Sequence, residues 1–249
     1  MIQLDCQLKE IILQEENPFV QDIIVITQDQ KQKQDTGVAE LGKMKIHDII
    51  INHSGDDTTW ESVDPNDAWA LDKLVLAKKL GYNCGPAGVN VPESGEYIVR
   101  PCVNAMGLGL GARKEFLEKD TAHIKPGYFW CEMFDGRHLS VDYSFGKQVL
   151  CVEGFKSPDT FSKWDRWVKT EDNVPLPKNI YEHFGNKQYL NCEYIDNKLI
   201  EIHFRHNPDF EHGVNEFVPV WEEQDTTAPN GYRYKEYPDI HGRIGAFIR

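Results

Sequence analysis

The chain has 249 residues, 40 acidic against 27 basic side chains for a net charge of −13, and 40% hydrophobic content. That length holds one large domain or two small ones with ample core, and the composition is that of a soluble globular protein. The negative balance disfavours a nucleic-acid backbone or an anionic membrane surface as partner. No run approaches the roughly 18 apolar residues of a membrane span. The start, MIQLDCQLKEIILQEENPF, lacks a basic head before a long apolar stretch, so no signal peptide is expected. Cys6, Cys84, Cys102, Cys131, Cys151 and Cys192 are scattered without zinc spacing. They read as reduced thiols of a cytoplasmic protein.

Residues 1–65 carry few strong signals. Ile2–Leu13 fits a strand or a short helix. Asp22–Thr27 and His47–Asn52 read as short buried strands, separated by a polar loop at Gln28–Thr36. His53–Asp57 is a turn cluster. Together these make a reduced N-terminal α/β unit, too short for a doubly wound domain.

From Asp64 and Pro65 a helix is expected through Ala68–Leu80, with Trp69, Leu71, Leu74, Leu76, Ala77 and Leu80 as its apolar stripe and Gly81 as its end. A lone Lys73 on such a helix would be surface filler. Asn83–Gly88 reads as a turn and Gly95–Pro101 as a strand stopped by proline. The stretch NAMGLGLGAR follows, with Gly107, Gly109 and Gly111 at every second position. It is neither a P-loop nor a dinucleotide fingerprint. Tyr128–Phe134 is an apolar strand; Asp135–His138 turns it back into Leu139–Ser144, and Gln148–Gly154 continues an antiparallel meander. Phe161, Trp164 and Trp167 flank a loop or helix, and Asn179–Phe184 fits a short helix. The tail from Pro208 reads as irregular chain wrapping the surface.

The most informative stretch is Leu190–Phe210, two strands joined by a polar turn at Asp196-Asn197. Alternation puts Glu201, His203 and Arg205 on one face of the second strand, and Ile200, Ile202 and Phe204 on the other. Glu193 lies on the first strand. One alternative is a hairpin whose polar face is merely solvated. The other is a buried cluster, in which such groups need pairing or a metal.

Four pieces in order, the helix string ALDKL, the strand YIVRP before the glycine-rich loop, FWCEMFDGRHLSVD, and NCEYIDNKLIEIHFR, resemble the ATP-grasp superfamily over about Ala68 to Asn207. The resemblance implies an α+β fold of two α/β subdomains whose antiparallel sheets clasp a nucleotide. It divides the chain into a reduced N-terminal unit (1–65), a small subdomain with the glycine-rich loop (66–127), and a C-terminal subdomain with the metal site and the wrapping tail (128–249). It also implies roles. Lys73 and Arg100 contact phosphate, and Gly107, Gly109 and Gly111 form the flap over it. Glu132, Met133 and Phe134 are the hinge holding the adenine edge, and His138 stands where a ribose-binding glutamate is common. Glu193 and Glu201 hold Mg²⁺. His203 replaces the usual asparagine, either as a ligand that Mn²⁺ would tolerate better or as a group orienting Glu201. Arg205 sits over the transferring group, so Arg205 and Arg100 are the catalytic candidates.

The implied activity is an ATP- and Mg²⁺-dependent ligase that joins a small-molecule carboxylate to an amine or similar nucleophile through an acyl phosphate. Arg100 for lysine, His138 for glutamate and His203 for asparagine depart from the family pattern. They keep open an alternative, a degenerate ATP-grasp domain acting as a nucleotide-binding or interaction module without ligase activity. A homodimer is the commonest arrangement should the chain oligomerise. No Ser/His/Asp or Cys/His arrangement is identifiable.

Overall fold

A computed structural model of the chain describes residues 63–103, 109–156, 161–210 and 213–249. All of them lie within one compact unit spanning Asn52–Arg249. The elements expected between Ile2 and Asp57, and Gly107 of the glycine-rich stretch, fall outside the described residues.

The single helix expected over 68–80 is two pieces, a 3-10 turn at Ala68–Leu71 and an α-helix, α1, at Lys73–Lys79. Asp72 separates them. Its backbone is extended, and its carboxylate accepts from the amides of Leu74 at 2.9 Å and Val75 at 3.0 Å. That is N-cap bonding, which satisfies amides with no partner inside the helix. Restarting at Asp72 makes Lys73 the first residue of α1 and turns its side chain inward, where it is 5% exposed. Gly81, at φ 77°, closes the segment in the left-handed conformation that glycine adopts freely.

Four short strands follow: β1 (Cys84–Pro86), β2 (Gly95–Pro101), β3 (Arg113–Leu117) and β4 (Tyr128–Glu132). They form an antiparallel sheet in the order β1-β4-β2-β3. Two differences from the sequence reading appear here. The expected turn at Asn83–Gly88 contains strand β1. In addition, β3 carries few β-formers, because its RKEFL sequence sits at a solvent-facing edge. The face of this sheet that meets α1 buries Phe129 and Cys131 against Ala77, with Tyr82, Ile98 and Phe134 packed around them.

The remaining strands are β5 (His138–Ser144), β6 (Lys147–Phe155), β7 (Arg166–Lys169), β8 (Leu190–Ile195), β9 (Lys198–His203), β10 (Glu216–Trp221), β11 (Arg233–Ile240) and β12 (Arg243–Ile248). They form one sheet in the order β11-β12-β10-β7-β6-β5-β8-β9. The expected hairpin of Tyr128–Phe134 with Leu139–Ser144 does not form, because β4 and β5 lie in different sheets. The chain between them, 133–137, is a connector. Gly136 within it (φ 135°) lies so close to the hairpin turn that a Cβ would come within 2.7 Å of the Asp196 side chain. The expected loop or helix around Trp167 contains β7. The tail is likewise not irregular: it forms β10 to β12, and Pro219 and Pro238 fall at strand positions.

One face of the large sheet buries Leu139, Val141, Tyr143, Cys192, Tyr194, Leu199 and Ile202 against α2 (Lys178–Phe184) and the 3-10 turn. Alternation along β5 and β8 therefore turns His138, Ser140, Asp142, Asn191 and Glu193 to the opposite face. The cap at Asp72 positions Lys73 over that face. Replacing Asp72 with alanine should lower stability by about 1 kcal/mol, the usual cost of a lost N-cap, read as the shift in a urea unfolding midpoint at unchanged m.

Candidate active site

The β8–β9 hairpin turns at Asp196 and Asn197, both with positive φ (45° and 64°), as a two-residue hairpin turn requires. The pairing then slips by one residue. Tyr194 faces Leu199, while Glu193 faces Glu201, which leaves Ile200 as the extra residue of a β-bulge. Strict alternation would have set Leu199 beside Glu201. The bulge instead moves Leu199 to the core face with Ile202, so the expected apolar grouping of Ile200 with Ile202 is corrected to Leu199 with Ile202. It also places the two carboxylates directly opposite each other. The Ile200 carbonyl accepts from Arg100 Nη2 at 2.8 Å.

Glu201 is 8% exposed and His203 3%, so this face is not a merely solvated one. Lys73 Nζ lies 3.1 Å from Glu201 Oε2, and His203 Nε2 lies 3.3 Å from Glu201 Oε1. Burial alone would push the Glu201 carboxyl up. Lys73, His203 and Arg100 outweigh it and hold the group well below the usual carboxylate range. Glu193 behaves in the same sense: burial and Glu201 push it up, while His138 and His203 bring it down. Its partner is His138 Nε2, 3.1 Å from Oε2. Two adjacent ionised carboxylates are thus held among Lys73, Arg100, His138 and His203.

His138 in turn stands edge-on to Trp164 and Trp167, with centroids at 4.6 and 5.6 Å. The two indoles lie over Gly154, where a Cβ would meet both rings at 2.6 to 2.8 Å. Lys156 Nζ sits over Phe161 and Trp164. Burial pushes the Lys156 pKa down against the opposing pull of Glu193.

A further polar row lies on the same face, and the sequence reading missed it. Asn191 donates through Nδ2 to Asp142 Oδ1 and Ser140 Oγ, each at 2.8 Å. Asp142 also accepts from the Asn207 amide, at 2.9 and 3.1 Å to its two oxygens. The signal was present in HLSVDYS, where every second residue from His138 is polar and the residues between are apolar.

The other expected residues lie as follows. Gly109 and Gly111 adopt positive φ (66° and 80°), and a Cβ on Gly109 would come 3.0 Å from the Phe161 carbonyl. The Glu132 side chain accepts from the Asn83 amide at 2.8 Å, and Phe134 packs edge-on to Tyr82. Met133 begins the connector between the sheets. Arg205 is not on β9, which ends at His203, but in the bend after it, where its Nη1 donates to the His206 carbonyl at 3.3 Å. The structure therefore gathers Lys73, Arg100, His138, Glu193, Glu201 and His203 into one cluster. Glu132 is engaged with the start of β1.

Among the described residues no group of three or more His, Cys, Asp or Glu side chains is arranged to hold a metal by itself. The donor set does fit a hard cation shared with a substrate, since Mg²⁺ takes one or two carboxylates and completes its shell from phosphate and water. Among the described residues no helix is long and apolar enough to cross a membrane, and the five described cysteines are free.

No family model and no curated protein matches the chain. Solved structures do. An ATP-grasp superfamily protein from Archaeoglobus fulgidus is 17% identical, covering 73% of this chain and 64% of its own, at a TM-score of 0.44. L-amino acid ligase from Bacillus licheniformis is 12% identical, covering 72% and 66%, at 0.39. D-alanine–D-alanine ligase from Bacillus anthracis, solved with ATP, is 12% identical, covering 61% and 63%, at 0.34. The chain thus spans less than two thirds of each of these proteins.

Two outcomes test the electrostatics. Lys73→Met leaves Glu201 buried without its main partner and should cost about 3 kcal/mol in chemical unfolding, much of it recovered in Lys73→Met/Glu201→Gln. The pH dependence has a fixed sign. Because the folded pKa of Glu201 lies below the unfolded value of about 4.3, its contribution is fully present above that pH. It is lost as pH falls through the folded value. Stability of the wild type should therefore drop more steeply on acidification below about pH 4.3 than that of Glu201→Gln.

Proposed function

We propose that the chain is an ATP- and Mg²⁺-dependent ligase that joins a small-molecule carboxylate to an amine or similar nucleophile. The observation that carries this reading is the opposed pair of ionised carboxylates, Glu201 buried and Glu193 half-buried, faced by Lys73 and Arg100. A donor set of two carboxylates flanked by cations suits a metal–triphosphate better than a metal alone. In the proposed reaction a substrate carboxylate oxygen attacks the γ-phosphorus, the bond to the β-phosphate oxygen breaks, and ADP leaves. The amine nitrogen then attacks the acyl carbon, phosphate departs and the amine proton is lost.

Glu193 and Glu201 would hold the divalent ion, which would supply neutralisation of phosphate charge. Lys73 exchanges part of its contact with Glu201 for phosphate, and Arg100 approaches the phosphates from the end of β2. His203 fixes the orientation of Glu201 through Oε1, and His138 does the same for Glu193 through Oε2. The hinge at Glu132, Met133 and Phe134 receives the adenine edge. Arg205 offsets charge on the transferring group. The protein contributes position and electrostatics with no covalent step of its own.

Glu201→Gln should keep the fold and abolish ADP release, with a loss of at least about a hundredfold, comparable with losing an oxyanion-hole donor. ADP and phosphate release in Mg²⁺-ATP with a panel of amino acids reads this, and a melting-temperature rise with Mg²⁺-ATP reads binding separately. Normal ADP release by Glu201→Gln would exclude the metal role. A melting-temperature rise without turnover on any acceptor would leave a nucleotide-binding module.

A further inference from the structure

The sheet order sets a problem that the sequence does not reveal. β9 and β10 are consecutive in the chain, yet β8, β5, β6 and β7 lie between them in the sheet. The connection 204–215 must cross those four strands. Phe204 still packs on the core face against Phe184, and from Asn207 the described part of the connection lies on the face that carries Asp142 and Ser140. The His206 ring lies 3.1 Å, through Nε2, from the Tyr143 carbonyl on β5. The Asn207 amide donates to both oxygens of Asp142, and Asn207 Nδ2 reaches Ser140 Oγ at 3.3 Å. Asp209 pairs with Arg243 on β12 at 2.9 Å, and Phe210 packs on Phe217 of β10.

Asp142 is 3% exposed, and no cation lies within ion-pair distance of it among the described contacts. Its oxygens are instead taken by an amide N–H of the crossing chain and by Asn191. The electrostatic influence of His206 and Arg205 also reaches it. A buried carboxylate is costly, and this one fastens the segment immediately after Arg205 to the centre of the sheet. We infer that Asp142 is a positioning residue, which holds the crossing segment so that Arg205 is presented to the space beside Glu193 and Glu201. This rests on the proposed ligase reading and adds to it a residue that does not touch the substrate.

The test combines Asp142→Asn, Arg205→Ala and the double variant with the exchange rate of the Asn207 amide, read by NMR on the full chain. Asp142→Asn should keep the melting-temperature rise with Mg²⁺-ATP, lower turnover by roughly a hundredfold, as a small misplacement does, and speed Asn207 exchange. The double variant should be no slower than Arg205→Ala. If the two losses multiply, or if Asn207 exchange is unchanged, the inference is overturned. Should Asp142→Asn prove unfolded, Asn207→Pro, which removes the donor and leaves the carboxylate, is read by turnover and by the melting-temperature rise with Mg²⁺-ATP: a loss of turnover that does not multiply with that of Arg205→Ala supports the inference, and one that multiplies overturns it. A wild type that turns over no acceptor overturns the ligase reading alone, and the Asn207 exchange rate then decides whether Asp142 is the anchor.

Discussion

The contact between Lys73 and Glu201 is the constraint on which the site turns. A carboxylate as buried as Glu201 has to be neutralised or partnered, and here it is partnered on both oxygens, by an ammonium and by an imidazole. A pair of this kind is poor value as a stabiliser, because desolvation consumes most of the Coulombic gain. Its worth lies in leaving a charged carboxylate in a dry place. Several local features serve that end. The Asp72 cap restarts the helix one residue before Lys73, the bulge at Ile200 sets Glu201 opposite Glu193, and the carbonyl freed by the bulge holds Arg100.

The parts come from different elements. Lys73 and Arg100 belong to α1 and to the end of β2, in or beside the four-stranded sheet. Glu193, Glu201, His138 and His203 belong to the eight-stranded one. The two groups are joined by the connector 133–137, which the close approach of Gly136 to Asp196 fastens to the hairpin turn. Charge of one sign is thus supplied from one side and charge of the other sign from the other. This arrangement suits a ligand carrying both a metal and phosphate oxygens. The aromatic group of Trp164, Trp167 and His138 closes the end of the face beyond Glu193, and it depends on Gly154 having no side chain.

Much of the hairpin was legible in the sequence, because period-two alternation and an Asp-Asn turn are strong local signals. Strict pairing from that turn would set Glu193 opposite Ile200, so the joint role of Glu193 and Glu201 came from the resemblance and not from the alternation. The bulge could not be foreseen, since nothing in LIEIH marks Ile200 as the extra residue, and the apolar face was misassigned as a result. The break at Asp72 was hidden by a hydrophobic stripe that runs through it: Trp69 and Leu71 belong to a 3-10 turn whose apolar spacing imitates the next turn of an α-helix. β4 and β5 were joined into one hairpin because Asp-Gly between apolar runs is a hairpin signal, and only tertiary pairing shows that the strands part. The tail was read as irregular, and its strands β10 to β12 are visible only through their pairing with one another and with β7. Asp142 was overlooked because a single acidic residue in an apolar strand looks unremarkable until the chain that lies over it is seen.

The long crossing from β9 to β10 has a bearing on how the molecule comes to be made. β5 with β6 and β8 with β9 pair through two-residue turns, whereas β10 to β12 can join the far edge only after the intervening chain has been laid across the sheet. Closing so distant a connection costs entropy before any contact repays it. The acidic pair is therefore assembled early, in a hairpin, and roofed late. The groups that hold the two like charges, Lys73, Arg100, His138 and His203, all precede the crossing in the chain, so the balance of charge at the pair does not wait on β10 to β12.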